Sequence, residues 1–93
     1  MLIITYDMSD NKLRTKFSKL LCKYGRRLQY SVFEIKNSQR ILNLILLEIE
    51  KKFAPKFTMS DSILIFPINP NCVNKIYRYG FPVEEEKELL IID

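Results

Sequence analysis

Histidine and tryptophan are absent from this 93-residue chain, which has only two glycines, two cysteines and four prolines. Without His there is no His-dependent catalytic triad and no His-based metal cluster. Cys22 and Cys72 alone are too few ligands for a structural zinc site and read as two free thiols. A Gly-rich phosphate loop, GxSxG and CxxC are missing too, which removes the commonest nucleotide, esterase and redox signatures. No apolar run reaches the roughly 18 residues needed to cross a bilayer. The opening Met1-Leu2-Ile3-Ile4 lacks the basic start and cleavage site of a signal peptide. These absences lead to the expectation of a cytoplasmic protein with no membrane partner.

What is present suits a small globular fold: 47% of residues are hydrophobic and 28% charged. A chain this short is expected to form one domain, residues 1–93, and to bury only about 60–65% of its unfolded surface, so a second copy is a plausible source of further burial. Charge is unevenly spread. Residues 1–40 hold nine Lys or Arg against three acids, net +6, whereas residues 41–93 hold six against eight, net −2. A basic segment attracts nucleic acid, acidic membranes and acidic proteins alike, so charge alone names no partner.

The apolar run Leu2 to Tyr6 predicts a buried strand, ended by the turn-forming Asp7-Met8-Ser9-Asp10-Asn11. Asp10 is a good N-cap. After it, Leu13, Phe17, Leu20, Leu21 and Tyr24 fall on one face of a helix that Gly25 is expected to end. Arg27 to Lys36 alternates along its whole length and predicts one long strand, covered on much of both faces. Asn37 or Ser38 caps a second helix, Gln39 to Phe53, whose apolar residues wrap nearly its full circumference; it is expected to be buried on more than one side or to dock on a partner. Pro55 closes it. Ser62 to Ile68 predicts another strand, with Pro67 at an edge or a strand end, and Ile76 to Tyr79 one beside it. Glu84 to Glu88 is an acidic run. Residues 81–93 form a C-terminal extension whose apolar end, Leu89 to Ile92, needs burial on this subunit or a partner.

This order favours an α+β fold of the ferredoxin-like kind, with two helices packed on one face of an antiparallel sheet. One mismatch stands out: that fold has two strands between its helices, and 26–36 supplies one unless it breaks in the middle.

Two features carry candidate chemistry. Asp7 sits where a buried strand emerges, a position suited to a metal-binding carboxylate and equally to a turn or cap residue. A single carboxylate holds Mg²⁺ poorly, but a homodimer with Asp7 near its axis would offer two. At about 100° per residue, Lys12, Lys16, Lys19 and Lys23 share an arc of roughly 60° on the first helix, with Arg14 on the opposite flank. The stripe has no acidic partner at i,i+4. It suits a track along a phosphate backbone or the solvated face of an amphipathic helix.

Tyr6-Asp7, Arg14, the stretch Tyr24-Gly25-Arg26-Arg27-Leu28-Gln29-Tyr30-Ser31-Val32-Phe33-Glu34, and Asp61-Ser62-Ile63-Leu64-Ile65-Phe66-Pro67-Ile68 resemble the CRISPR-associated protein 2 family in length and motif order. The resemblance covers essentially the whole chain. It implies a ferredoxin-like homodimer whose terminal strands reach the other subunit, which would bury Leu89 to Ile92. It also implies two roles: a Mg²⁺- or Mn²⁺-dependent endonuclease on RNA or double-stranded DNA, and a bridge between dimers of the CRISPR integrase during spacer capture.

By the same resemblance Asp7 is the metal ligand, and Tyr6, Arg14, Arg27, Ser31 and Phe33 match positions around the active centre. Arg14 and Arg27 would bind phosphate, Ser31 would orient water or an oxygen, and Phe33 and Tyr6 would shape the site. Arg26 joins the lysine stripe as a candidate nucleic-acid contact. Lys16 stands where some relatives carry a second Arg, keeping the charge but losing the bidentate fork. Structural roles compete for several of these residues: Phe33 and Tyr6 suit a plain core, Ser31 a backbone contact, Arg27 an ion pair. The alternatives to the CRISPR reading are a metal-independent, toxin-type ribonuclease and a ferredoxin-like regulatory module without catalysis.

Overall fold

The computed structural model describes residues 1–68 and 76–80. β1 (Leu2–Asp7) leads into α1 (Asn11–Cys22), followed by β2 (Gly25–Gln29), β3 (Val32–Ile35), α2 (Gln39–Glu48), β4 (Ser62–Pro67) and β5 (Tyr77–Gly80). Asp10 caps α1 as expected, its carboxylate accepting the Leu13 N–H at 2.8 Å and so satisfying an amide that the first helical turn leaves without a partner. Ser38 caps α2, accepting from the Ile41 N–H at 3.3 Å.

All pairings are antiparallel in one sheet of order β2-β3-β1-β4-β5. The first four strands and two helices follow the βαββαβ order of the ferredoxin-like fold, and β5 extends the sheet beside β4. Along β1 the pleat sends Leu2, Ile4 and Tyr6 into the core, while Ile3 and Thr5 are half-buried and Asp7 is exposed. Cross-strand register carries this parity outward: Ile4 faces Phe33 on β3 and Ile65 on β4. One sheet face therefore packs on Leu13, Phe17 and Leu21 of α1 and Leu42 and Ile45 of α2. Each such side chain contributes about 1.5–3 kcal/mol when fully buried. Phe17 stands edge-on to both Tyr6 and Phe53, with ring centroids 5.0 Å apart in each pair, and so ties sheet, α1 and the end of the second helical segment together. The other face bears Ile3, Val32, Leu64 and Phe66, all half-buried, together with Thr5 and Asp7.

Three local expectations are corrected. Residues 27–36 form a hairpin rather than one long strand, turning at Tyr30 and Ser31, with a register shift between Arg27 and Gln29. No Gly, Pro, Asn or Asp marks that turn, and the bulge absorbs one residue, so alternation runs on through the break. β2 is an exposed edge strand along its whole length instead of being covered. The break supplies the second strand that the fold requires. Gly25 does not terminate α1, which ends at Cys22; it opens β2, where a Cβ would lie 2.0 Å from the Glu34 carbonyl oxygen. The α-helical part of the second helix stops at Glu48, and a π-helical turn, Ile49–Phe53, and a 3-10 turn, Ala54–Lys56, complete it. Pro55 has no N–H to offer Lys51 and its ring crowds that carbonyl, so regular α-geometry cannot run through it. Leu42, Ile45 and Ile49 form its one buried stripe, and Leu44 and Leu47 are 36% and 48% exposed.

Leu89 to Ile92, the acidic run Glu84 to Glu88, the rest of 81–93 and Cys72 lie outside the described residues. Cys22 is a free, exposed thiol. No helix among the described residues is long and apolar enough to cross a membrane.

Asp61, just before β4, is fully buried. Its carboxylate accepts from the Ser9 N–H at 2.9 Å, the Ser9 hydroxyl at 3.2 Å and the Thr58 N–H at 2.9 Å. Burial alone would raise its pKa, but the backbone and hydroxyl donors of Thr58 and Ser9 outweigh it and hold the carboxyl below its ordinary value. The folded-state value is depressed, so the linked stability is complete above the unfolded-chain value and is lost as pH falls through the folded one. Replacing Asp61 by Asn should cost about 1–3 kcal/mol in urea unfolding at neutral pH. The gap between variant and wild type should narrow at acid pH, and a gap that stays constant would show that the carboxylate's charge is not what holds the two loops.

Candidate functional site

Tyr6, Arg14 and Arg27 converge on the helix-covered side of the sheet. With Thr15, Ser18 and Tyr30 they line a polar hollow of about 110 Å³. Arg14 donates to the Met8 carbonyl at 2.9 Å and to the Asn11 side chain, so part of its guanidinium braces the loop after β1. Arg27 lies over the buried Phe33 ring, 4.8 Å from its centroid, and donates to the Tyr30 carbonyl. Burial lifts the Tyr6 phenol above its usual range, and the charge and hydrogen bond of Arg27 act in the opposite direction. Two guanidinium groups and several hydroxyls around so small a space suit one tetrahedral anion such as a phosphate.

Phe33 is completely buried and forms the floor under Arg27 rather than a surface a substrate touches. Ser31 sits in the hairpin turn, where its carbonyl accepts the Tyr6 N–H at 3.2 Å.

Asp7 points elsewhere. It pairs with Ser62 at the end of the β1·β4 ladder and faces away from the helices, opposite in parity to Tyr6. The sheet thus separates Asp7 from the arginine hollow of the same copy. Both neighbours of Asp7 in sequence, Tyr6 and Met8, are buried, so its backbone is held although its side chain is exposed. Among the described residues no group of three or more His, Cys, Asp or Glu gathers to hold a metal. Among the described residues, Asp7 is the one carboxylate that the sequence reading assigns to a divalent ion.

The α1 lysines are all exposed, and none forms an ion pair among the described residues. Lys12, Lys16 and Lys19, three of the four lysines of the predicted stripe, border one open hollow of about 390 Å³. Arg26 is on the opposite sheet face and pairs with Glu34 at 3.1 Å. That pair is exposed and worth little, so a polyanion could displace it.

A family model described as CRISPR associated protein Cas2 matches residues 1–76. The chain belongs to the Cas2 family. It is 32% identical over 81 residues to a protein of Synechocystis named CRISPR-associated endoribonuclease Cas2 3, covering 86% of this chain and 84% of that one. It is 31% identical over 90 residues to CRISPR-associated endoribonuclease Cas2 2 of Methanospirillum hungatei, covering 97% of both. Among solved structures it is similar to a hypothetical protein from Thermus thermophilus, with 29% identity, a TM-score of 0.59, and coverage of 73% of this chain and 79% of that one.

Within this Cas2 chain, sequence reasoning passes over Thr15, Ser18 and Tyr30, the polar remainder of the arginine hollow. A signal exists for two of them: Ser18 lies four positions after Arg14 and three after Thr15, which makes it a neighbour of both on the surface of α1. Asp61 is visible as part of a motif, but nothing in its neighbours announces a buried carboxylate with several donors. If Arg27 holds the Tyr6 phenol as described, R27A will raise the Tyr6 titration further. Ring-labelled tyrosine NMR, assigned with Y6F, reads this directly, and an unmoved Tyr6 resonance would break the pairing.

Proposed function

We propose that this Cas2-family chain is a homodimeric nucleic-acid-binding protein of CRISPR adaptation that bridges integrase dimers during spacer capture. We further propose that it hydrolyses phosphodiester bonds with Mg²⁺ or Mn²⁺ held between two copies of Asp7. The observation that carries the reading is the position of Asp7 on the helix-free sheet face, which also bears the half-buried Ile3, Leu64 and Phe66. Packing two such faces together removes apolar surface from water and, by two-fold symmetry, can bring two Asp7 carboxylates toward one axis. The second carboxylate then comes from the partner's Asp7. The name endoribonuclease carried by the relatives from Synechocystis and Methanospirillum hungatei supports the nuclease part.

Asp7 and the partner's Asp7 would hold the divalent ion, which would supply Lewis-acid chemistry toward a phosphodiester. The remaining work falls to this chain's own groups. Arg14 and Arg27, already half-committed to Met8 and Tyr30, present their other N–H groups to a phosphate that lies across the sheet from Asp7. They hold the strand rather than the reacting bond. Tyr6 and Phe33 keep the arginines in place, and Ser31 in the hairpin turn is the group assigned to orient water or a phosphate oxygen. The lysine stripe supplies sequence-independent backbone attraction.

Two outcomes are expected. With labelled RNA and duplex DNA, cleavage by the wild type in Mg²⁺ or Mn²⁺ should disappear in EDTA and in D7N, while D7N keeps its affinity for duplex. Cleavage that persists in D7N or EDTA would instead indicate a metal-independent ribonuclease. In analytical ultracentrifugation the wild type should sediment as a dimer and L64D as a folded monomer that has lost metal-dependent cleavage. A dimeric L64D would remove this sheet face as the place where two Asp7 residues meet.

A further inference from the structure

Behind α1 lies a second basic surface that the lysine stripe only half describes. A cleft of about 490 Å³ runs between α1 and the turns that follow α2. Lys16, Lys19 and Lys23 form one wall; Lys51, Lys52 and Lys56 form the other. Glu48 is the one acidic side chain lining it, and it is taken up by Lys52 at 3.3 Å. Six lysines against one carboxylate leave the opening at +5. Leu13, Leu20 and Phe53 make its floor and are nearly buried, so the apolar part is already covered and the charges stand at the rim.

The second wall is built from the π-helical turn and the 3-10 turn that follows it. In the first the Ala54 N–H reaches back five residues to the Ile49 carbonyl, and the second carries Lys56 to the same opening as Lys51 and Lys52. Phe53, from the same turn, packs on Phe17 of α1, which fixes the two walls against each other. Tyr79 of β5 donates to Glu50 at 3.0 Å and anchors the turn from the sheet. The cleft is thus a built feature, with walls held by packing and long cationic side chains at its rim.

We infer that this cleft is a channel for a nucleic-acid backbone, with Lys51, Lys52 and Lys56 as its second wall; the inference rests on the nucleic-acid-binding reading above and adds the surface and the mode of contact. Six like charges repel one another across one opening, and a polyanion that releases its counterions on binding relieves this more fully than an isolated anion does. Lysine gives point charges without a bidentate fork, which suits phosphates at varying positions. From Lys16 to Lys23 the helix rises about 10 Å, long enough to meet successive phosphates and not one alone. No exposed aromatic ring lines the cleft to stack on bases. Contact is therefore with the backbone, and base sequence should not matter.

The test uses the full chain, a labelled duplex of mixed sequence, and salt titrations between about 50 and 200 mM. The triple variant K51Q/K52Q/K56Q alters only exposed side chains; its thermal melt is recorded alongside. The slope of log K against log salt should flatten by about 0.9 for each duplex phosphate that the variant no longer neutralises. K51R/K52R/K56R should restore it, and E48Q should bind more tightly than wild type. A triple Gln variant with unchanged affinity and slope overturns the channel, while duplex binding that K12Q/K16Q/K19Q/K23Q weakens would keep the α1 stripe and the nucleic-acid reading intact. Unchanged duplex binding together with abolished binding to a polyglutamate peptide reassigns the cleft to an acidic protein and also overturns the inference. A wild type that binds no duplex at any of these salt concentrations ends both.

Discussion

Strand β1 is hydrogen-bonded along both edges, to β3 and to β4, so none of its side chains can change face without breaking two ladders. Every feature with chemical interest depends on that constraint. Tyr6 points to the helices and joins Arg14 and Arg27; Asp7, one residue on, points away. A slip of one residue would place a carboxylate in the aromatic core and a phenol on the open face. The cost of burying an unpaired charge forbids this register, and so the sequence order Tyr-Asp is enough to set the two sites on opposite sides.

Asp61 secures the end of that strand. Its bonds to Ser9 and Thr58 join the loop leaving β1 to the turn entering β4, beside the last pair of the ladder, Asp7 and Ser62. Arg14 braces the same loop from the helix side through the Met8 carbonyl. Asp7 is thus exposed in its side chain and fixed in its backbone, a combination that fits a ligand more than a flexible turn residue. Gly80 serves the neighbouring pair: at φ 104° it lies opposite Ser62, where a Cβ would meet the Asp61 carbonyl oxygen at 2.1 Å. Any larger residue there would force β5 away from β4.

Much of this is legible in the residues themselves. The cap at Asp10, the buried face of α1, the strands at 2–6 and 62–68 and the ferredoxin-like layering all follow from short-range patterns that tertiary packing reinforces. The hairpin inside 27–36 is not, because a bulge and an unmarked turn preserve alternation that usually signals continuity. The π-helical turn is not, because the apolar spacing of Ile45, Ile49 and Phe53 fits an α-helix as well as a widened turn. The lysine stripe can be read from the sequence and its second wall cannot, for one reason: helical periodicity relates residues on one helix, whereas Lys51, Lys52 and Lys56 are brought to α1 by tertiary packing such as the Phe17–Phe53 contact.

The two proposed activities place different demands on the fold. Backbone attraction is assembled within one chain, from lysines whose exact rotamers matter little because Coulombic attraction falls off slowly and their stems are flexible. A metal site needs ligands held to fractions of an ångström, and the proposed one draws one Asp7 carboxylate from each copy. Binding should therefore survive sequence drift that hydrolysis does not. In the proposed dimer, a change that loosens the open sheet face would move both Asp7 residues without touching a lysine, and a change in the proposed channel would weaken nucleic-acid binding without moving Asp7. Because the sheet stands between them, the proposed scaffold role would outlast a failure of the proposed metal geometry, whereas cleavage without a grip on the backbone would leave the carboxylates with no substrate held against them.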